Sequence, residues 1–264
     1  MAWTAIGCSV RGAAHVKDGL PNQDAVAWWP GEGRGPPLAI AVSDGHGSPK
    51  CFRSDVGARL AVQAALDVLA VGGSGEEIVR RWRDAVEDEL RREPFSEAEL
   101  VRLAERDGPS AVTLAMRHPR LAYGATLLAA LVREETVYLV QIGDGDLLCV
   151  SASGEVSRPV PSDEKLFGNE TASLCSESAE RDLRTASLPV DGGPVLLLLA
   201  TDGYTNSFRT DDGFLQVGRD LQTFVREDGL ESVASSLAEW LHETSASGSG
   251  DDITLGLLCR TEAL

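Results

Sequence analysis

Basic residues are scarce in this sequence. The 264 residues include 24 lysines and arginines against 41 aspartates and glutamates, which gives a formal net charge of −17. A surface of that sign repels the phosphates of nucleic acids and anionic lipid headgroups. We therefore expect neither nucleic acid nor a membrane surface among the partners of this protein.

Long hydrophobic runs are also absent. The longest apolar stretches, ATLLAALV at 125–132 and VLLLLA at 195–200, are far shorter than the roughly 20 residues of a membrane-spanning helix. The N-terminal segment does not combine basic residues with an apolar core in the way a secretory signal does. These absences predict a protein that remains in the cytoplasm.

Paired cysteine motifs are missing as well. The five cysteines lie far apart and form no Cys-x-x-Cys motif, so nothing indicates a zinc site or a redox pair. Such isolated thiols are typical of a reducing compartment. The apolar fraction of 43% and charged fraction of 25% are those of a globular protein. Without internal repeats, the sequence predicts one domain over residues 1–264 and a monomer.

Apolar segments rich in β-branched residues predict the strands. They are 25–29, 38–43, 125–132, 136–142, 195–201 and 253–259. The short gap between 125–132 and 136–142 favours a hairpin and antiparallel pairing. Helical periodicity occurs at 54–70, 75–93 and 230–244. The pattern predicts an α+β fold with helices packed on antiparallel sheets, interrupted by an irregular, flap-like insertion at about 151–193.

Acidic residues stand at the ends of these predicted strands. Asp44, Asp144 and Asp202 each follow an apolar run and precede a glycine, whereas Asp24 and Asp251 come before a strand. Antiparallel strands place the end of one beside the start of the next, so these acids can meet at one edge. One Asp-Gly pair is most often a turn. Several together favour a site for Mg²⁺ or Mn²⁺, which prefer oxygen ligands and relieve carboxylate repulsion.

Five motif segments follow one another along the chain: PNQDA, VSDGHGS, GATLLAAL with VQIGDGDLL, LLATDGYTNSF and GDDITLGLL. In order and spacing they resemble the metal-dependent protein phosphatases of type 2C, particularly the bacterial members, and the resemblance covers residues 12–258. It implies a four-layer αββα sandwich of two antiparallel sheets flanked by helices, with two Mg²⁺ or Mn²⁺ ions at one end. It also implies hydrolysis of phosphoserine or phosphothreonine on proteins phosphorylated by a serine/threonine kinase, with a metal-activated water as the nucleophile.

The resemblance also implies roles for individual residues. The carboxylates that match the family's metal ligands are Asp24, Asp44, Asp202 and Asp251. Asp44 would bridge the two ions, and Gly45 would contribute its backbone carbonyl. His46 matches the histidine proposed as general acid.

Four positions differ from the residue that is usual in the family, and one of them bears on the binding of a third metal ion. Gln23 stands where the family often has Glu, and Asp252 stands where it usually has Asn. Asn206 replaces an Asp that, with the acid matching Asp144, often helps to bind a third, weaker ion. Gly19 occupies the place of an arginine that holds the substrate phosphate in many members. Candidates for the missing cation are Lys17, His15, Arg11 and Arg53.

Two other functions remain open at this point. The residues Gln23, Gly19 and Asn206 favour a pseudophosphatase that binds phosphoproteins without turnover, whereas retention of the ligand-type acids favours catalysis. An aspartyl-phosphate phosphatase with Asp44 as nucleophile typically needs an Asp two positions later, where this chain has His46. Candidate substrate contacts in the insertion are Asn169, Thr171 and Ser173, although a solvated loop accounts for them equally well.

Overall fold

The computed structural model describes residues 2–161 and 172–263. Its strands are β1 (Trp3–Val10), β2 (Ala25–Trp29), β3 (Arg34–Gly35), β4 (Leu38–Ser43), β5 (Leu127–Val132), β6 (Thr136–Ile142), β7 (Asp146–Val150), β8 (Val156–Ser157), β9 (Arg184–Pro189), β10 (Leu196–Ala200) and β11 (Ile253–Cys259). The predicted strands at 25–29, 38–43, 136–142 and 253–259 therefore have the expected bounds.

Helices connect and cover these strands. They are α1 (Ala13–Asp18), α2 (Ser54–Ala70), α3 (Gly75–Arg92), α4 (Glu97–Asp107), α5 (Pro109–Arg117), α6 (Ala179–Asp182), α7 (Asp202–Thr205), α8 (Asp211–Asp228) and α9 (Leu230–Ser247). Short 3₁₀ turns lie at Pro49–Cys51, Pro119–Tyr123 and Thr261–Ala263. In the described part of the chain, no helix is both long and apolar enough to cross a bilayer.

The strands form two antiparallel sheets. One has the order β3-β1-β11-β10-β7-β8, and the other has the order β2-β4-β5-β6-β9. The hairpin predicted from the sequence is the β5–β6 pair, in which Leu127 lies opposite Ile142. Neighbouring strands that are far apart in sequence, such as β1 and β11, bring the two ends of the chain together in one sheet.

Successive side chains along a strand point to opposite faces of the sheet, and this alternation decides which layer each side chain enters. In β4, Ile40 packs between the sheets, whereas Ala39 packs outwards in the core that includes α2 and α3. In β10, Leu197 packs between the sheets and Leu198 packs outwards in the core that includes α8 and α9. Because both faces of each sheet are covered, the central strands are almost entirely apolar. The α+β, four-layer αββα prediction is confirmed.

The irregular segment predicted at 151–193 is shorter than expected. Strands β8 and β9 both lie inside it, and β9 pairs with β6 at the edge of its sheet. Ala186 and Leu188 are half-buried against the core between the sheets, whereas Thr185 and Ser187 are exposed. An edge strand with one covered face needs few apolar residues, so its hydrophobic pattern is weak.

Arg53 anchors the α4–α5 pair to the rest of the molecule. Its guanidinium donates to both carboxylate oxygens of Glu99, at 2.7 and 2.9 Å, and to the carbonyls of Glu93 and Pro94. A further hydrogen bond, of 2.7 Å, goes to the hydroxyl of Tyr123. Arg53 is buried and uses every guanidinium N–H in these contacts. It is therefore a structural residue and not the phosphate ligand suggested from the sequence.

Replacement of Glu99 by Gln should destabilise the protein by about 2–3 kcal/mol at pH 7, because Arg53 would stay buried and charged without its counter-ion. The ion pair lowers the pKa of Glu99 to about 2. A lowered pKa stabilises the fold above the pKa of the unfolded carboxyl, and this contribution disappears as the pH falls towards 2. Urea unfolding at pH 7 and pH 3 should therefore show a smaller difference between wild type and Glu99→Gln at the lower pH.

A surface ion pair provides the control for this experiment. Asp88 pairs with Arg91 on the exposed side of α3, so Asp88→Asn should change the free energy of unfolding by less than about 0.5 kcal/mol. A destabilisation by Glu99→Gln that is no larger than this, or that is independent of pH, would contradict the assigned role of the buried pair.

Candidate metal centre

The acids predicted to converge do meet at one edge of the sandwich. Asp24 precedes β2 and Asp44 follows β4, and these two strands are antiparallel neighbours in one sheet. Asp202 follows β10 and Asp251 lies just before β11, which are antiparallel neighbours in the other sheet. Each sheet therefore contributes two carboxylates to the same edge.

A threonine joins the two sheets at this edge. Thr201 Oγ1 donates a 2.9 Å hydrogen bond to Asp24 Oδ2 and accepts a 2.9 Å bond from the backbone N–H of Thr254. Thr201 is only 1% exposed, so it orients the Asp24 carboxylate in the absence of bulk water. Thr201 is not among the residues predicted for the site from the sequence. The only sequence feature that marks Thr201 is its position, as a hydroxyl residue at the end of an apolar run and directly before Asp202.

Burial without a counter-ion raises the pKa of these carboxyls. The pKa of Asp24 rises to about 8, first because the group is buried and then because Asp252 and Asp251 are negatively charged. The pKa of Asp44 lies well above its ordinary value because of burial and the charges of Asp24 and Asp202. Burial also raises the pKa of Asp202. Among the described residues, no arginine or lysine forms an ion pair with Asp24, Asp44 or Asp202.

The backbone at Gly45 completes an all-oxygen donor set. A Cβ at this position would lie 2.6 Å from the carbonyl oxygens of both Gln23 and Ser54, so only glycine fits. Within residues 2–161 and 172–263, no hydrogen-bond donor reaches the Gly45 carbonyl. Carboxylates and a free carbonyl are the ligands that Mg²⁺ and Mn²⁺ prefer. The residues at this edge therefore fit divalent cations.

Gln23 supplies a further unsatisfied oxygen. Its amide nitrogen donates a 2.6 Å hydrogen bond to Ser54 Oγ, which fixes the orientation of the side chain. Its Oε1 is buried and has no partner in the described structure. A buried polar atom of this kind is normally satisfied by water or an ion. Gln23 is thus placed to hold a water molecule beside the acids, as expected for a residue behind the metal ligands.

Asp252 organises the N-terminal segment. Its two carboxylate oxygens accept 2.6 Å hydrogen bonds from the backbone N–H groups of Gly12 and Gln23. His15 Nδ1 lies 2.9 Å from Asp252 Oδ2, and His15 Nε2 lies 3.4 Å from Asp251 Oδ1. One ligand atom from each of these three residues lies within 4.8 Å of the others, a spacing that could also hold a cation. His15 is therefore engaged with carboxylates and not placed to bind phosphate.

Asp144 and Asn206 lie near Asp202, and His46 lies near Asp144. The negative charge of Asp144 raises the pKa of Asp202 and opposes the lowering of the His46 pKa by burial. Asn206 Nδ2 donates a 3.1 Å hydrogen bond to Asp202 Oδ2. The backbone N–H of His46 donates to the Gly124 carbonyl at 3.0 Å. The groups predicted for a third metal ion and for proton transfer are thus adjacent to the acid cluster.

The remaining candidates for phosphate binding are less well placed. Arg11 donates to the His15 carbonyl at 2.9 Å, and Lys17 is exposed on α1. Gly19 ends α1 with φ of 72°, a left-handed conformation in which an arginine would be strained. The structure therefore explains why glycine stands at position 19, but these residues do not replace the arginine.

Ser173 is also a structural residue. Its hydroxyl donates to the Ala125 carbonyl at 3.2 Å, and the side chain is buried. It therefore ties the end of the insertion to the segment before β5 and is not exposed to a substrate. The other two candidate contacts, Asn169 and Thr171, lie outside the described residues.

Replacement of Asp44 by Asn should stabilise the metal-free protein. Because the pKa of Asp44 is raised, its ionised form destabilises the fold at neutral pH, and the amide removes that charge. We expect a gain on the order of 1 kcal/mol, or roughly 2–4 °C in melting temperature for a chain of this size. Calorimetry in EDTA at pH 7.5 measures the change. Asp220→Asn, on the exposed side of α8, should change nothing, and a loss of stability in Asp44→Asn would contradict the charge argument.

Comparison with known proteins agrees with this geometry. The family profile described as protein phosphatase 2C matches residues 11–242. The catalytic domain of the serine threonine protein phosphatase PstP in complex with two manganese ions superposes with a TM-score of 0.61 at 19% identity, covering 98% of each chain. No curated protein matches this chain significantly in sequence.

Two further solved structures have the same fold. PppA, a key regulatory component of the T6SS in Pseudomonas aeruginosa, gives a TM-score of 0.61 at 20% identity over 98% of this chain and 99% of its own. Serine/threonine phosphatase Stp1 from Staphylococcus aureus gives 0.59 at 16% identity over 97% and 94%. Identities this low demonstrate the fold alone. The family profile, however, spans most of the chain, and on that ground the protein belongs to the protein phosphatase 2C family.

Proposed function

We propose that the protein hydrolyses phosphoserine and phosphothreonine monoesters on protein substrates, using two divalent cations held by the acid cluster. The observation that carries this proposal is the convergence of four carboxylates from both sheets, of which the buried Asp24 and the half-buried Asp44 and Asp202 have no arginine or lysine partner in the described structure. Family membership supports the reaction class. The manganese complex of PstP supports the metal type, although it does not distinguish Mg²⁺ from Mn²⁺ here.

The proposed ligands are the oxygens that the fold gathers at this edge: Asp24, Asp44, Asp202, Asp251 and the Gly45 carbonyl. Asp44 interacts electrostatically with both Asp24 and Asp202, which supports its assignment as the ligand shared by the two ions. When bound, the cations would lower the pKa of the attacking water and neutralise the phosphoryl oxygens.

Neighbouring polar residues hold these ligands in place. Thr201 orients Asp24, and Asn206 orients Asp202. Gln23 offers its unpartnered Oε1 to a water molecule. We assign Asp144 and Asn206 to the surroundings of a third, weaker cation next to Asp202.

His46 is the proposed general acid, which would protonate the departing alkoxide. Burial lowers its pKa, and the nearby negative charge of Asp144 counteracts part of that effect. The charge of Asp144 favours the protonated imidazole, which is the form that a general acid needs.

The reaction class also implies partners. A phosphoserine or phosphothreonine substrate must first be formed by a protein kinase, so a serine/threonine kinase acts on the same proteins. The cytoplasmic location and the monomeric state of the protein are predictions from the sequence. The pseudophosphatase alternative gains no support from the described residues: Asn206 donates a hydrogen bond to Asp202, and Gln23 keeps an unpartnered Oε1 that can hold a water molecule.

Manganese should be required for phosphate release from a phosphothreonine peptide, and EDTA should abolish it. Asp44→Asn should lower kcat/KM by at least roughly 10²-fold, because it removes the central ligand. The exposed Asp220→Asn variant should match wild type. Activity that persists in EDTA, or in Asp44→Asn, would exclude this mechanism.

Replacement of His46 by Gln should affect substrates according to their leaving group. The peptide alkoxide needs a proton, so we expect a loss of roughly 10²- to 10⁴-fold in kcat with the phosphothreonine peptide. Para-nitrophenolate leaves without protonation, so para-nitrophenyl phosphate should lose much less. Equal losses with both substrates would assign His46 a structural role.

A further inference from the structure

A cavity of about 660 Å³ opens beside the acid cluster, and α4 forms its far wall. Gly19, Gln23 and Gly47 line the near side, and the last two directly adjoin Asp24 and His46 in sequence. The cavity therefore borders the two segments that carry Asp24 and His46. The volume is larger than a phosphate ion needs, so it can receive a phosphorylated side chain.

Two arginines project from α4 into this cavity. Arg102 and Arg106 both line it, and their i,i+4 spacing places them on one face of the helix. Within the residues that the structure describes, neither guanidinium has an ion-pair or hydrogen-bond partner. Adjacent like charges on a helix are unfavourable unless an anion compensates them.

The acids in the same wall are largely neutralised. Glu99 is paired with Arg53, and Asp55 is paired with Arg59 on α2. The third carboxylate among the lining residues is Glu105. The two unpaired guanidinium groups outnumber the single carboxylate of Glu105, so this wall is positive although the net charge of the protein is −17.

The arginine expected at position 19 would have entered the same space. Gly19 lines the cavity, and a Cβ built on it meets no atom within 4 Å. The α4 arginines therefore line the same cavity as the position where many family members carry their phosphate-binding arginine. The buried Arg53–Glu99 pair fixes α4 in this place.

We propose that Arg102 and Arg106 bind the phosphoryl group of the substrate and replace the arginine that is missing at Gly19. This assignment rests on the proposed phosphatase function. Guanidinium groups suit the role because their planar forks bind phosphate oxygens in pairs, with charge-assisted hydrogen bonds. The two arginines would attract the phosphorylated segment of the substrate into the cavity that borders the acid-bearing segments.

The test measures binding of inorganic phosphate to the manganese-loaded protein by isothermal calorimetry. The double variant Arg102→Ala/Arg106→Ala should raise the phosphate Kd roughly tenfold or more, since each lost contact is charge-assisted. The double Lys variant should recover part of the affinity, because it keeps the charge and loses the fork. With a phosphothreonine peptide, the Ala variant should raise KM more than it lowers kcat.

Lys17→Ala is the matched control, because it removes one exposed cation that does not line the cavity. It should leave the phosphate Kd unchanged. Both arginines are exposed, so the melting temperatures of all variants should equal that of wild type. A wild-type phosphate Kd in the double Ala variant, or a weaker Kd in Lys17→Ala alone, would overturn the assignment.

Failure of the assignment and failure of the proposed function give different results. If wild type releases phosphate from the peptide and the double Ala variant does so with the same KM, the arginine assignment is wrong and the function stands. If phosphate binding depends on the arginines but wild type releases none from the peptide, hydrolysis is wrong and the binding assignment stands. If manganese-loaded wild type does not bind phosphate, the assignment is also wrong.

Discussion

Electrostatic repulsion among buried carboxylates is the constraint on which this structure depends. Asp24, Asp44 and Asp202 are held together at the edge of two sheets, with burial and mutual charge raising their pKa values. The favourable free energy that opposes this cost comes from the apolar layers between and outside the sheets. Strands that are apolar on both faces form a rigid support, so the acids cannot simply separate. A divalent cation is the natural way to relieve the repulsion.

Polar side chains behind the acids convert this unfavourable cluster into a defined arrangement. Thr201 connects the two sheets through Asp24, and Asp252 gathers the N-terminal segment through two backbone N–H groups. His15 lies against the carboxylate of Asp252, which explains how a charged residue is tolerated where the family usually has an amide. Each carboxylate therefore has either a fixed orientation for a cation or a structural partner. The acids that are candidate metal ligands are in this way distinct from the acids that hold the surrounding backbone.

Helices α4 and α5 extend the site beyond the sandwich. The buried pair of Arg53 and Glu99 holds them, and packing of Phe52 against Phe95 adds an apolar contact at 5.0 Å between ring centroids. In this way a structural ion pair determines where the face of α4 that carries Arg102 and Arg106 lies. Gly19 and the two arginines of α4 line one cavity, although they are far apart in the chain.

The amino-acid sequence by itself determined six of the strand segments and the acids at their ends, because apolar runs and the turn residues that bound them are local features. The four-layer class and the role of Gly45, where a side chain would collide with two carbonyls, followed instead from the resemblance of the motifs to a known family. Only the tertiary structure decided the roles of Arg53, His15 and Ser173. From the sequence alone, these three residues were candidates for contact with the substrate. Their partners lie on other elements, as Glu99 does for Arg53, so their contacts depend on how those elements pack and not on any local pattern.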